Sequence, residues 1–375
     1  MKSEIHSLKR GVCMQLQKDV NRYATAVLED KPNTQWFDVR KPPFALYGLY
    51  EPQKGAAFCR MPKQIAETVS KDVAALALHT AGGRCRFSTD SPYIAIRAVM
   101  PGQSFMGHMA AVGSSGFDLY ADTPEGSVFV TSFMPDLTCP GGIIASRAIE
   151  GTRFAGKVNH YTVHFPLYAA VETLEIGIRQ GSTLGAGAAY KDVRPILYYG
   201  SSITQGGCAS RPGISYQGYI SRRFQTDYIN LGFSGSAKGE QTMVDYICAQ
   251  DISLFVCDYD HNESNAESLR KKHYNVYACF RQKQPQTPIL LISRPDVFLC
   301  PDDAAARVQV VRETYERALA SGDRNVYFVD GGTLFDGADA SDCTVDSCHP
   351  NDLGFYRMAQ VIGDKIAEIN PFGCR

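Results

Sequence analysis

Between about residues 80 and 180 the apolar positions recur at every second residue in short runs, with turn residues between them and no helical period. Residues 93–99, 127–131, 160–165 and 174–178 are the clearest of these runs. Successive side chains of a strand point to opposite faces, so each run predicts a strand with one face buried. Many short strands at this spacing predict an antiparallel β-sandwich. Ahead of them lies a mostly polar segment, read as helical over residues 12–28, and an irregular stretch over 36–51.

From about residue 190 the texture changes. Apolar runs at 195–199, 228–231, 254–259, 288–293 and 326–329 alternate with helical patterns at 215–224, 240–249, 266–281, 304–320 and 352–369. In the last helix Met358, Ile362 and Ile366 fall four apart, on one face, as docking onto a sheet requires. Five strands each followed by a helix predict a parallel sheet with helices on both faces. The Gly- and Ala-rich segment 181–191 reads as the linker, which divides the chain into an N-terminal domain, 1–185, and a C-terminal one, 186–375.

Composition narrows the function classes. The 375 residues are enough for two domains at roughly 100–200 residues each. Lys plus Arg is 38 and Asp plus Glu is 39, a net charge of -1, so there is no electrostatic footprint for nucleic acid or an anionic membrane. Hydrophobic residues at 44% and charged residues at 21% exclude disorder, collagen-like repeats and a disulfide miniprotein. No apolar run, such as that at 288–292, comes near the roughly 18 residues that a membrane span needs. The start Met1-Lys2-Ser3-Glu4-Ile5-His6 is charged and has no secretory h-region, so the expected location is the cytoplasm if Met1 is the native start. The 12 cysteines include no C-x-x-C pair, which predicts reduced, mostly buried thiols.

In an open parallel sheet ligands bind outside the carboxyl ends of the strands, so the segments after each strand carry the candidate chemistry. They are Gly200-Ser201-Ser202-Ile203-Thr204-Gln205-Gly206, Gly232-Phe233-Ser234-Gly235-Ser236, Asp258-Tyr259-Asp260-His261-Asn262 and, on a longer loop, Asp346-Ser347-Cys348-His349-Pro350-Asn351. Hydroxyls, small residues, an amide, a carboxylate and an imidazole thus converge on one sheet edge. That inventory fits acyl transfer through a serine. The hydroxyl needs a base to take its proton, the base needs an orienting carboxylate, and the tetrahedral intermediate needs N–H donors aimed at its oxyanion.

Gly200-Ser201-Ser202-Ile203 resembles the nucleophile block of the GDSL, or SGNH, hydrolase superfamily. Asn230-Leu231-Gly232-Phe233-Ser234-Gly235 resembles its glycine block and Asp346-x-x-His349 its terminal block, in family order over about residues 192–370. Gly116-Phe117-Asp118-Leu119-Tyr120 resembles the G-x-D-L-Y signature of a β-sandwich domain that precedes one subgroup of these enzymes. The resemblance implies a three-layer α/β/α, flavodoxin-like hydrolase domain with a five-stranded parallel sheet, behind an antiparallel, jelly-roll-like β-sandwich. It implies Ser202 as nucleophile, His349 as general base and Asp346 as its orienter. The oxyanion hole would be the N–H groups of Ser202 and Gly235 and the amide of Asn262. Ser201 stands where the superfamily usually has Asp, which leaves it a rival for the attacking hydroxyl. The third block usually reads G-x-N-D, whereas here it is Asp260-His261-Asn262-Glu263.

Plainer readings stand beside these. A Ser-Ser pair after a strand often caps a helix, Asn351 is the natural cap of the last helix, and Gly232 and Gly235 also suit turns. His261 reads as a solvent-facing loop histidine, Asp118 as a structural turn or inter-strand partner, and Arg270-Lys271-Lys272-His273 as the wet face of a helix. Gly185-Ala186-Gly187 lacks the third glycine of a dinucleotide loop, and no His/Asp/Glu group has the spacing of metal ligands. The expected activity is therefore hydrolysis of a carboxylic ester without metal or organic cofactor, falling at acid pH as His349 protonates. The layout resembles that of several carbohydrate deacetylases, which implies an O-acetyl carbohydrate deacetylase, with Trp36, Phe44 and Tyr47 as aromatic surface for a sugar or as interdomain packing. An acyltransferase on the same fold, a short-chain lipase or acylhydrolase of a small metabolite, and a silent carbohydrate-binding protein are the alternatives. Homo-oligomerisation is left open.

Overall fold

A computed structural model describes residues 28–55, 57–103, 105–135, 141–296 and 301–372. The helix expected over 12–28 lies outside them but for its last residue. The chain forms two compact units. Met1–Cys59 and Leu78–Ala189 make up one, and Arg60–Ala77 with Tyr190–Arg375 the other. Against the single division expected at 185/186, the chain thus passes from one unit to the other three times.

The first unit contains β1 (Thr34–Asp38), β2 (Ala45–Tyr47), β3 (Arg84–Thr89), β4 (Tyr93–Val99), β5 (Phe117–Thr123), β6 (Gly126–Phe133), β7 (Gly142–Ala148), β8 (Asn159–His164), β9 (Thr173–Arg179) and β10 (Leu184–Ala186). One sheet runs β1-β9-β4-β7, the other β10-β3-β8-β5-β6 with β2 also on β3, and the pairings are antiparallel. Alternate positions meet in one core, with Ile94, Ile96, Ile176 and Ile178 from one sheet and Phe87, Leu119, Tyr161 and Val163 from the other.

Two expectations change here. The stretch 36–51, read as irregular, supplies most of the edge strand β1 and all of β2; none of their residues is fully buried, so little apolar alternation marks them. The segment 181–191 is also more than a linker, because β10 pairs with β3. Its glycines allow this. A Cβ on Gly187 would meet the Arg86–Phe87 backbone at 2.7 Å. Asp118, on β5, faces His164 on β8, with Oδ1 2.8 Å from Nδ1 and both side chains buried, which makes it an inter-strand partner. Phe44 packs on Phe87, with centroids 5.4 Å apart, and Trp36 lies under the Arg97 guanidinium at 4.6 Å, contacts within this unit.

The second unit is built on β11 (Asp192–Gly200), β12 (Thr226–Gly232), β13 (Leu254–Asp258), β14 (Ile289–Ile292) and β15 (Val326–Val329). They form one parallel sheet in the order β12-β11-β13-β14-β15. Along β11, Leu197 and Tyr199 join the core under helices Gln241–Cys248, Ala266–Lys283 and Pro301–Ala320. Tyr198 points the other way, against Tyr216 of the helix Tyr216–Phe224, and Tyr216 stacks on Phe355 of the final helix, Asp352–Ile369. The final helix buries Met358, Ile362 and Ile366 as its spacing predicts.

Met61, Ala66 and Val73, from the inserted segment and its helices Lys63–Val69 and Lys71–Leu76, complete the first of these faces. The helix Ala266–Lys283 corrects the reading of 270–273 as a wet face. Its helical turn sends His273 inward, stacked on Tyr259 and hydrogen-bonded to Thr314 Oγ1 at 2.8 Å, and burial pushes its pKa down to about 4. Among the described residues no helix is long and apolar enough to cross a membrane.

β11 has β12 on one side and β13 on the other, so the chain reverses its direction of sheet growth there. Open α/β sheets hold ligands outside the carboxyl ends of their strands at such a reversal, which here falls at the end of β11.

Candidate active site

β11 ends at Gly200, where a Cβ would meet Thr204 Oγ1 at 2.0 Å and the Asp258 carbonyl oxygen at 2.2 Å. Only glycine lets the chain turn so tightly into the short helix Ser202–Gln205. Ser201 caps that helix: its Oγ accepts the Ile203 N–H at 3.1 Å, and the residue is buried. Ser202, one position on, is half-buried, and its Oγ lies 2.9 Å from His349 Nε2. The geometry separates the two serines. One hydroxyl is engaged by backbone, the other faces an imidazole.

His349 and Asp346 come from the loop before the final helix. Nδ1 of His349 is 2.8 Å from Asp346 Oδ2, while Asp346 Oδ1 accepts the N–H groups of His349 at 2.7 Å and Cys348 at 3.2 Å. Ser347 takes φ +66° to make this turn, and the Val345 N–H donates to the His349 carbonyl at 2.9 Å. The loop is thus closed by its own hydrogen bonds, and Asn351 caps the helix behind it by accepting the Gly354 N–H. Partial burial opposes the Asp346 charge, but the donors from His349 and Cys348 outweigh it and hold the carboxyl below its ordinary value. A carboxylate on Nδ1–H leaves Nε2 as the acceptor for the serine proton.

The glycine block is fastened to the nucleophile helix. Asn230 Nδ2 donates to the Thr204 carbonyl at 2.7 Å and its Oδ1 accepts the Gly232 N–H at 2.8 Å. Gln205 Oε1 accepts the Ser234 N–H at 3.1 Å, and a Cβ on Gly232 would strike the Gln205 nitrogen at 2.1 Å. Gly235 differs, since φ is +66° but no atom lies within 4 Å of its Cβ position. Asn262 ends a 3₁₀ turn, Asp260–Asn262, and its Nδ2 donates to the Phe233 carbonyl at 2.8 Å. An amide has two N–H hydrogens, so one bond to Phe233 leaves the second for a ligand. The Arg307 guanidinium grips this turn from behind, donating to the carbonyls of Asp260 at 2.6 Å and Glu263 at 3.0 Å.

Several of these groups were not legible in the sequence. Arg60, in the inserted segment, donates to the carbonyls of Asn230, Gly232 and Leu76 and lies over the Phe233 ring. Asp258, at the end of β13, accepts Thr204 Oγ1–H at 3.0 Å and Tyr216 O–H at 3.1 Å beneath the nucleophile helix. Burial, with Asp260 adding to it, pushes the Asp258 carboxyl up to about 8. His261 is not the solvent-facing histidine expected. Its Nε2 lies 2.8 Å from Asp296 Oδ1, and Asp296 is held in turn by the Arg294 fork at 2.8 and 2.6 Å. A loop residue after one strand and a loop residue after the next share no sequence period that would reveal such a pair.

A serine hydroxyl, an imidazole and a carboxylate are thus hydrogen-bonded in series beside an amide donor. Residues 193–367 match the model of the GDSL-like lipase/acylhydrolase family. Residues 34–184 match that of the GxDLY domain, the N-terminus of SGNH-hydro-type esterases. No curated protein matches. Among solved structures the chain is similar to a protein of Bacteroides ovatus assigned as a GDSL-like lipase, at 26% identity and a TM-score of 0.81 over 90% of this chain and 98% of that one. It shares its fold with a salicylyl-acyltransferase of a tetracycline biosynthetic pathway, at 18% identity and a TM-score of 0.72 over 92% and 99% of the two chains. It does so too with a family two carbohydrate esterase of Clostridium thermocellum, at 14% identity and a TM-score of 0.60 over 88% and 98%. The chain therefore belongs to the GDSL-like, SGNH-type serine hydrolases, with a GxDLY β-sandwich domain ahead of its hydrolase domain.

Proposed function

We propose that the protein removes an O-acetyl group from a carbohydrate through an acyl-enzyme on Ser202. The observation that carries this reading is the unbroken hydrogen-bond chain from Ser202 Oγ through His349 to Asp346. His349 Nε2 takes the hydroxyl proton as Oγ attacks the acyl carbon, and Asp346 steadies the imidazolium. The N–H groups of Ser202 and Gly235 and the free N–H of Asn262 receive the oxyanion. Collapse of the tetrahedral intermediate breaks the ester C–O bond, and His349 returns the proton to the leaving sugar hydroxyl. Water then repeats the sequence and releases acetate.

The carbohydrate part of the reading is supported by the likeness of fold to carbohydrate esterases, one of them solved with cellohexaose. An acyltransferase reading has its own support in the likeness to the salicylyl-acyltransferase. The two share the acyl-enzyme and differ in whether water or an alcohol resolves it. Incubation with acetylated xylo- and manno-oligosaccharides, followed by mass spectrometry of sugar and protein, tests the proposal. Release of acetate with transient acetylation at Ser202 is expected. Faster turnover of long-chain p-nitrophenyl esters than of acetylated sugars overturns the carbohydrate assignment, and acyl transfer to added alcohols in place of hydrolysis overturns the hydrolytic one.

A further inference from the structure

His261, Asp296 and Cys348 have no task in the serine mechanism, yet the fold collects them. One follows β13, one follows β14, and one precedes His349 in the loop before the final helix. A ring nitrogen, a carboxylate oxygen and Sγ from these three residues all lie within 4.8 Å of one another. We propose that they form a binding site for one divalent transition-metal cation of zinc type, beside the triad and separate from it.

The donor set comes first. Nitrogen, sulfur and oxygen together suit zinc or cobalt and do not suit magnesium or calcium, which take oxygen. Zinc bonds of about 2.0–2.3 Å set the edges of a tetrahedral site at about 3.3–3.6 Å. The His261–Asp296 hydrogen bond, 2.8 Å, is shorter than such an edge, and the outer limit of 4.8 Å is longer than one. Side-chain rotation of about an ångström closes the set, and water fills the fourth position.

Charge and support come next. A thiolate and a carboxylate neutralise a dication, and His261 ligates as the neutral imidazole. Burial, with the carboxylates of Asp296 and Asp346, pushes the Cys348 thiol up to about 12. Metal binding therefore forms the S–metal bond as the S–H proton leaves to solvent, the exchange typical of thiol ligands. Asp296 is already held in place by Arg294, and Arg294 by Asp303 at 2.8 Å, the outer layer of hydrogen bonds that orients a ligating carboxylate. Asp346, Cys348 and His349 also lie within 4.8 Å of one another, so the triad is the competing location. The two locations share Cys348, and substitution at His261 or at Asp346 tells them apart.

Titration of the full-length protein with cobalt(II), followed by displacement with zinc, tests the site without relying on turnover, so its outcome is independent of the esterase reading. A thiolate-to-cobalt charge-transfer band saturating at one equivalent is expected. Cys348→Ala should abolish the band, His261→Gln should weaken binding at least about tenfold, and Asp346→Asn should leave it unchanged. Absence of the band in the wild type overturns the proposal. So does a band kept in His261→Gln and lost in Asp346→Asn, which would place the metal on the triad. X-ray absorption of the zinc-loaded wild type needs no variant: a sulfur ligand with nitrogen and oxygen is expected, and a shell without sulfur overturns the site.

Discussion

Arg60 and Gly232 are 172 positions apart, and the guanidinium of one donates to the carbonyl of the other at 2.6 Å. Arg60 also holds the carbonyls of Asn230 and Leu76 and is itself buried. The turn that leads to Gly235 is therefore shaped by a residue from the inserted segment. Arg60→Met keeps the stem but leaves three carbonyls without their donor, and each unsatisfied buried group costs about 1–3 kcal/mol. Arg60→Met should be destabilised by about 2–4 kcal/mol in urea unfolding, with esterase activity falling as the glycine block loosens; a midpoint unchanged from wild type would refute this role.

The two neighbouring serines should separate cleanly. Ser202→Ala removes the hydroxyl that faces His349, and hydrolysis of p-nitrophenyl acetate should drop by about three orders of magnitude or more without loss of stability. Ser201→Ala removes the cap from the Ile203 N–H and should cost about 1 kcal/mol of stability while most of the activity remains. Finding Ser201→Ala inactive and Ser202→Ala active would exchange their roles.

Asp346→Asn keeps the shape of the loop but presents an amide to Nδ1, which favours the wrong imidazole tautomer. Turnover should fall by about three to four orders of magnitude, with KM little changed. In the wild type the carboxyl is held below its ordinary value, so its contribution to stability is present above that value and fades as pH falls through the lowered one. A kcat retained in Asp346→Asn would remove Asp346 from the mechanism.

Asp258 has the opposite sign. Its pKa rises from an ordinary 3.8 to about 8 on folding, so the folded chain binds this proton more tightly than the unfolded chain does. That stabilisation is complete below about pH 4 and is lost as pH rises towards about 8. Asp258→Asn should flatten the decline in melting temperature across this window, relative to wild type. An identical pH dependence in the two proteins would mean that the carboxyl is already ionised at low pH.

Gly232 and Gly235 should respond differently to alanine. At Gly235 the only cost is the left-handed backbone, about 1–2 kcal/mol, since the Cβ enters open space. At Gly232 the Cβ meets the Gln205 backbone at 2.1 Å, so the nucleophile helix must move. Gly235→Ala should stay folded and retain measurable turnover, and Gly232→Ala should lose both stability and activity. Comparable melting temperatures in the two variants would contradict the packing described.

The alternation in β4 and β8, the apolar runs of β11 to β15 and the one-sided final helix were readable because burial repeats with the period of the element. The blocks around Ser202, Gly235 and His349 were readable for a related reason: each is a local stretch set by one turn. β1 and β2 were missed because half-buried edge strands carry little alternation. His273 was misassigned because a basic neighbourhood in sequence need not share a helix face.

What the sequence by itself determined was the two-part architecture, the strand and helix order of the second part and the local chemistry of each loop at the sheet edge. These depend on interactions within a few residues. Only the tertiary structure decided which serine faces the imidazole, that Arg60 of the inserted segment holds Gly232, and that His261, Asp296 and Cys348 meet. Such contacts join residues tens to hundreds of positions apart. They are set by where a parallel sheet places the ends of its strands, and no periodicity along the chain records that placement.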